Sequence, residues 1–248
     1  MAWRWAAASE IGSSHLRLGT RKQDAMSCFL TGSGALCAIV CDGAGSAPFG
    51  GEGASVLVRT LSESLRAHFR VGRVLPEDDD VWSWVDSARD RLAMAAEQRE
   101  TTRRAFASTL VMLVATGNKI LTAHIGDGAI VARTGAAWET ISPPENGEFA
   151  STTYFATDDP MPRLRLERHE GEWTGFAVFS DGIENLVLDH RNDAPHEPFF
   201  NTMIAPVDAL NEPGKDAKLS SALAAFLRGP KVCDKTDDDK TLLLLSSR

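Results

Sequence analysis

Two kinds of hydrophobic spacing alternate along the chain. Short apolar runs bounded by glycine or acidic residues read as strands at 3–9, 25–30, 36–41, 107–115, 119–125, 130–134, 138–141, 152–155, 164–170, 175–179 and 241–246. Runs 25–30 and 36–41 flank Thr31-Gly32-Ser33-Gly34 and predict a hairpin. Run 107–115 is apolar at odd and even positions alike, which predicts a central strand covered on both faces. Elsewhere the period is helical. Ala54, Leu57, Leu61, Leu65 and Phe69 share one face, as do Val81, Val85, Ala88, Leu92 and Ala95, with Asp80 placed to cap the latter helix. A last helix carries Leu219, Ala222, Leu223, Phe226 and Leu227 and stops at Gly229-Pro230. Residues 15–24 and 143–149 read as loops, and 183–210 as partly helical around Pro195, Pro198 and Pro206. Helices come in two groups with strands clustered between them. That predicts an α+β protein of sheets packed on each other with helices outside, rather than alternating βαβ units.

What stands at the strand tips changes the picture. Run 36–41 ends in Asp42-Gly43 and a glycine-rich loop to Gly53. Run 121–125 ends in Gly126-Asp127-Gly128, and run 176–179 in Ser180-Asp181-Gly182. Asp237-Asp238-Asp239 immediately precedes the run 242–245. Carboxylates delivered by buried strands are the donor set of hard divalent cations, which take oxygen ligands. Two like charges ~4 Å apart at an effective dielectric of ~20 repel by roughly 4 kcal/mol. Such a cluster persists where cations neutralise it, and two ions suit it better than one. Each motif also has an ordinary reading. Gly126-Asp127-Gly128 suits a hairpin turn, and Asp181 with Glu184 suits a capping box. The 237–239 acids suit a solvated loop, Asp24 a surface acid, His15 a structural histidine, and Trp82 and Trp84 packing.

Composition narrows the classes. At 248 residues and 43% hydrophobic content the chain predicts one domain, 1–248, with a sizeable core. A net charge of −8 without a basic run argues against nucleic acid. The N-terminus lacks a signal-peptide apolar region, and no apolar run approaches the ~20 residues of a membrane helix. Cys28, Cys37, Cys41 and Cys233 form no CxxC pair. Cys37 and Cys41 would lie about 13 Å apart on one strand, beyond disulfide reach. Reduced core cysteines in a cytoplasmic protein are the expectation. Phosphate-binding loops fail on particular residues. A dinucleotide fingerprint on Gly43 and Gly45 meets Pro48, and a P-loop meets Gly51-Glu52 after Gly50. A cysteine phosphatase using Cys41 meets Ala47 where arginine belongs. An aspartyl-phosphate mechanism on Asp42 meets Ala44.

The order of the acidic motifs resembles the protein phosphatase 2C, or metal-dependent phosphatase, family from Gln23 to Thr241. Gln23-Asp24-Ala25 is similar to its first acidic motif. Asp42-Gly43-Ala44-Gly45 with Gly51-Glu52-Gly53-Ala54-Ser55 resembles DGxG…GExAS, with one extra residue between. Ala107-Ser108-Thr109-Leu110 resembles the G(S/T)T strand with alanine for glycine. His124 to Gly128 resembles the GDS hairpin, Ser180-Asp181-Gly182-Ile183 the SDG motif, and 237–241 the closing DDNxT. His15, Gly19, Gln23 and Asp24 spell HxxxGxxxQD, which looks like a bacterial branch.

The resemblance implies a four-layer αββα sandwich of two antiparallel sheets around a binuclear Mg²⁺ or Mn²⁺ centre. It implies hydrolysis of phosphoserine or phosphothreonine by water activated between the ions, on phosphoproteins made by a cognate Ser/Thr kinase. Asp42 would bridge the metals, Gly43 would offer its carbonyl, Asp181 and Asp238 would complete the pair, and Asp24 would be a direct or indirect ligand. Asp127 with Asp181 would hold a weaker third ion. Asp238 is preferred to Asp239 because it lies three residues before Thr241. Two positions depart from the family. Its phosphate-gripping arginine falls at Gly19, leaving Arg17 or Arg21 to substitute, and the histidine that some members use as general acid is Ala44. The segment between Asp127 and Asp181 has no obvious long flap. These departures and Ala107 motivate an alternative: a weak or inactive phosphatase fold that docks a kinase or phosphoprotein.

Overall fold

The computed structural model describes residues 2–72, 74–145, 153–189, 191 and 193–248. Its strands are β1 (Arg4–Glu10), β2 (Ala25–Leu30), β3 (Leu36–Cys41), β4 (Leu110–Thr116), β5 (Lys119–Ile125), β6 (Ala129–Thr134), β7 (Ala137–Ser142), β8 (Arg165–Glu170) and β9 (Trp173–Phe179). The two-residue strands β10 (Leu188–Asp189), β11 (Ala194–Pro195) and β12 (Gly214–Lys215) precede β13 (Lys240–Ser246). The helices are α1 (Ser13–Leu18), α2 (Gly50–Val71), α3 (Asp78–Gln98), α4 (Glu184–Val187), α5 (Glu197–Asp208), α6 (Ala217–Leu227) and α7 (Pro230–Cys233).

One sheet has the order β2-β3-β4-β5-β8 and the other β12-β1-β13-β9-β6-β7, with β10 and β11 forming a separate pair. Pairing is antiparallel throughout except between β1 and β12. The period of two along each strand divides its side chains between layers. Leu36, Ala38 and Val40 of β3 enter the space between the sheets, while Cys37, Ile39 and Cys41 meet α2. Val111 and Leu113 of β4 point inward, and Leu110, Met112 and Val114 point to the helices. A strand covered on both sides needs no polar face, which is why β4, the middle strand of its sheet, reads as continuously apolar. On the second sheet, Trp5 and Ala7 face inward while Ala6 and Ala8 meet Phe200, Ile204, Val207, Leu223 and Leu227 of α5 and α6. The result is the expected αββα stack. Among the described residues no helix is long and apolar enough to cross a membrane.

The differences from expectation are local. Residues 15–24 are not all loop: α1 occupies Ser13–Leu18 and Gly19 ends it at φ 66°. The flanking residue of α3 is Glu77 rather than Asp80, whose carboxylate instead accepts the Glu77 N–H at 3.0 Å from the third helical position. Asp78, Asp79 and Asp80 thereby all sit at the positive end of the helix. Residues 107–109 leave the β4 ladder and bond to the loop after β3, with Ser108 bridging Gly43. Tyr154 and Phe155 lie in no strand, and residue 152 and residues 146–149 of the expected loop are outside the described residues. Within 183–210, Pro198 opens α5 and Pro206 sits near its end. Pro230 follows the predicted stop at Gly229 by starting α7.

Candidate metal centre

Asp42 leaves β3 with its backbone held from both sides. Its N–H donates to Thr109 Oγ1 at 3.0 Å and its carbonyl accepts the Thr109 N–H at 2.8 Å. Gly43 follows in a space without room for a side chain: a Cβ there would lie 2.2 Å from the Gly50 carbonyl carbon. Gly126-Asp127-Gly128 is not the hairpin turn its sequence suggests. β5 pairs with β4 and β8 in one sheet, whereas β6 pairs with β7 and β9 in the other. The turn therefore crosses the sandwich, with Gly126 at φ +102°, and carries Asp127 into the gap between the sheets' ends. Asp181 opens a short 3-10 turn after β9. Gly182 lies so close to the closing acidic segment that a Cβ would sit 1.8 Å from the Asp239 carbonyl oxygen.

These tips converge. One carboxylate oxygen from each of Asp42, Asp127 and Asp181 lies within 4.8 Å of the others. Asp24 is buried next to Asp42; its Oδ2 accepts Ser180 Oγ at 2.8 Å and Thr241 Oγ1 at 2.5 Å. Asp238 is near enough for its charge to be felt at Asp42, Asp127 and Asp181. Burial pushes the carboxyls of Asp42 and Asp181 well above the usual range. Neighbouring acids add to the shift, led by Asp24 for Asp42 and by Asp127 for Asp181. Burial likewise raises Asp24 and Asp127. Oδ1 of Asp24, Asp127 and Asp181 is buried without a hydrogen-bond partner. Buried acceptors gathered without donors fit a divalent cation, which supplies positive charge to several oxygens at once.

The remaining candidates lie around this cluster. Asp239 is buried, but its oxygens are taken by N–H donors of Gly12, Gln23 and Asp24 and by His15 Nδ1. Arg17 is exposed and paired with Asp237 at 2.7 Å. Arg21 is exposed on a cavity of about 770 Å³ lined also by Lys22, Gln23, Gly45 and Ser46, beside the Asp42 loop. Sequence reasoning missed Ser180, Thr241 and Thr109 as the hydroxyls that hold Asp24 and Asp42. The signal lies in the motifs themselves: Ser180 precedes Asp181, Thr241 closes the 237–241 acidic motif, and Thr109 lies in Ala107-Ser108-Thr109-Leu110.

A family model described as protein phosphatase 2C matches residues 11–228. The chain belongs to the protein phosphatase 2C family. Serine/threonine-protein phosphatase 3 of Escherichia coli (strain K12) is 34% identical to this phosphatase 2C chain over 249 residues, 98% of each. Solved structures share the fold at lower identity. Stp1 from Staphylococcus aureus superposes with a TM-score of 0.69 at 14% identity, covering 98% of this chain and 94% of that one. The catalytic domain of the phosphatase PstP, in complex with 2 manganese ions, gives 0.67 at 14% identity over 99% and 98%. Ala107, in place of the phosphatase 2C glycine, is accommodated: its methyl packs with Ala44 and Ala47 while its carbonyl accepts the Ala44 N–H at 2.9 Å.

Proposed function

We propose that this chain hydrolyses phosphoserine and phosphothreonine esters of proteins, with Asp42, the Gly43 carbonyl, Asp127, Asp181 and Asp238, and Asp24 as a direct or indirect ligand, holding two Mg²⁺ or Mn²⁺ ions and a weaker third. The carrying observation is the meeting of Asp42, Asp127 and Asp181, from three separate strand ends, with an Oδ1 on each of Asp127, Asp181 and neighbouring Asp24 buried without a donor. When bound, the ions supply an activated water and neutralise charge on the phosphoryl oxygens. The chain's part is positioning. Thr109 fixes the Asp42 backbone, Ser180 and Thr241 fix Asp24 against it, and the Gly43 carbonyl lies one residue beyond Asp42. Asp238 is the better last ligand because the Asp239 oxygens are already occupied. Arg21, on the cavity beside the Asp42 loop, suits the phosphate grip better than Arg17, which Asp237 engages. Water's oxygen bonds to phosphorus, the P–O ester bond breaks, and the products are inorganic phosphate and a free hydroxyl. A covalent cysteine step is disfavoured: burial pushes the Cys41 thiol, nearest to the acids in sequence, well above its ordinary value.

The proposal extends to a cytoplasmic signalling role opposite a Ser/Thr kinase, with 1–248 acting as one domain. Four unpaired cysteines support that location. The test is hydrolysis of an aryl phosphate and a phosphothreonine peptide with Mn²⁺, with and without chelator. Activity indifferent to chelation rules the reading out. Gly19, standing where the family arginine falls, motivates the inert docking module as a second reading. Failure to bind Mn²⁺ would favour it, and the retained acids weigh against it.

A further inference from the structure

The spacing HxxxGxxxQD is only partly absorbed by the function above, which uses Asp24 alone. In the fold, α1 carries His15 and Gly19 ends the helix, returning the chain to Gln23-Asp24 beside the closing acidic segment. Four donors converge there on one carboxylate. The Gly12 N–H at 2.6 Å and His15 Nδ1 at 2.9 Å reach Asp239 Oδ1, and the N–H groups of Gln23 at 2.5 Å and Asp24 at 3.3 Å reach Oδ2. The His15 side chain is 12% exposed and that of Asp239 1%. Contacts around the carboxylate tie the same two segments. The Ser14 N–H and Oγ both donate to the Asp237 carbonyl, and buried Lys240 donates to the carbonyls of Ile11 at 3.3 Å and Asp238 at 3.0 Å.

The chemistry of residue 239 follows from its partners. Three of the four are backbone N–H groups, which can only donate. A carboxylate offers an acceptor on each side, whereas a carboxamide offers one oxygen and turns an NH₂ toward the remaining donors. The asparagine of the DDNxT pattern would thus leave one pair of donors unmet, and here aspartate stands in its place. A carboxylate on Nδ1 also holds the imidazole proton on that nitrogen. Asp239 donates its own N–H to Asp238 Oδ1 at 2.7 Å, so the couple touches the segments bearing two of the proposed ligands while occupying neither.

We propose that His15 and Asp239 form a positioning couple that aims Asp24 and Asp238 into the acid cluster and sets a further negative charge behind it, strengthening divalent-cation binding. This rests on the metal reading above. The experiment titrates the metal-free full chain with Mn²⁺ by calorimetry and follows its thermal unfolding without metal. The proteins are wild type, His15→Ala, His15→Gln, Asp239→Asn and the His15→Ala/Asp239→Asn double variant. His15→Ala and Asp239→Asn should each weaken Mn²⁺ binding by about tenfold or more, the usual cost of losing a group that orients a metal ligand. His15→Gln, which can still donate to the carboxylate, should recover most of the loss. The double variant should bind no more weakly than the weaker single, because both changes break one unit. Wild-type affinity in His15→Ala and Asp239→Asn, whether or not their melting temperatures fall, reduces the couple to a structural bond and overturns the proposal; additive losses overturn it as well. Should Asp239→Asn fail to fold, the contrast between His15→Ala and His15→Gln decides alone. Wild-type protein that binds no Mn²⁺ defeats the metal reading itself, and this role with it.

Discussion

Along β3, Leu36, Ala38 and Val40 pack against Val111 and Leu113 of β4 and Val178 and Leu243 of the facing sheet. Two residues beyond Val40 the same strand delivers Asp42 to a place where Asp24, Asp127, Asp181 and Asp238 also crowd. β9 repeats the contrast, with buried Phe176 and Val178 leading to Asp181. In the middle of the sandwich every contact lowers the free energy of the fold. At its end the same strands bring together carboxyls whose ionisation is made costly by burial and by one another. The middle supplies stability that offsets this cost, so substitutions in the two regions should affect different measurements.

The largest effect should come from the acids. Asp42→Asn and Asp181→Asn should each lower turnover of an aryl phosphate by about 10²–10³-fold or more, the scale seen when a group stabilising reaction charge is lost. In the absence of metal the same variants should be more stable than wild type by on the order of 1 kcal/mol, since one like charge is gone. Wild-type turnover in either variant would remove that residue from the ligand set. Leu113→Ala should reverse the pattern. It empties a fully buried site between the sheets and should cost about 2–5 kcal/mol in chemical unfolding, with Mn²⁺ affinity unchanged in the folded fraction.

The pH dependence of the metal-free protein sharpens the comparison further. Asp24, Asp42, Asp127 and Asp181 have raised pKa values in the folded state, through burial first. The folded protein therefore holds more protons than the unfolded chain above the ordinary value of 3.8. Stability from these groups is complete below that value and is lost as pH rises through the raised values. Melting temperature without metal should accordingly fall as pH climbs from about 4 towards about 7 by more in wild type than in Asp42→Asn. Saturating Mn²⁺ should flatten the wild-type slope. Equal slopes for the two metal-free proteins would mean that the cluster does not govern this titration.

The layers and most strand positions were legible because each apolar run meets a buried partner on the face its period names. β5 was predicted and found at 119–125, and the hairpin of β2 and β3 at its expected turn. The acids were legible as motifs but not as geometry. Asp127 reads locally as a hairpin tip, and only the pairing of β5 and β6 with different sheets carries it across the sandwich. Asp238 and Asp239 are chemically identical in sequence. What separates them is that Gly12, Gln23 and Asp24, more than 200 residues away along the chain, aim their N–H groups at Asp239. The α1 helix was missed because a six-residue polar helix owes its existence to contacts with 237–239 rather than to its own period.

The smallest effect should come from the outer layer on the second sheet. Asp216 flanks α6, and its carboxylate accepts the Leu219 N–H at 2.6 Å, while its own N–H bonds to the Trp5 carbonyl at 2.9 Å. Asp216→Ala removes a helix cap and should cost about 1 kcal/mol of stability. Its acid is far in function from those between the sheets: it carries one donor, needs no cation, and its loss exposes only a helix end that water can reach. Mn²⁺ affinity and turnover should therefore match wild type while the melting temperature falls by a few degrees, read by calorimetry on the metal-free and Mn²⁺-loaded protein in parallel. A loss of metal affinity in Asp216→Ala would show that the helix layer is coupled to the acidic end through β1, whose residues Ser9 and Glu10 run alongside Thr241 and Lys240, and that the two regions are not energetically separate.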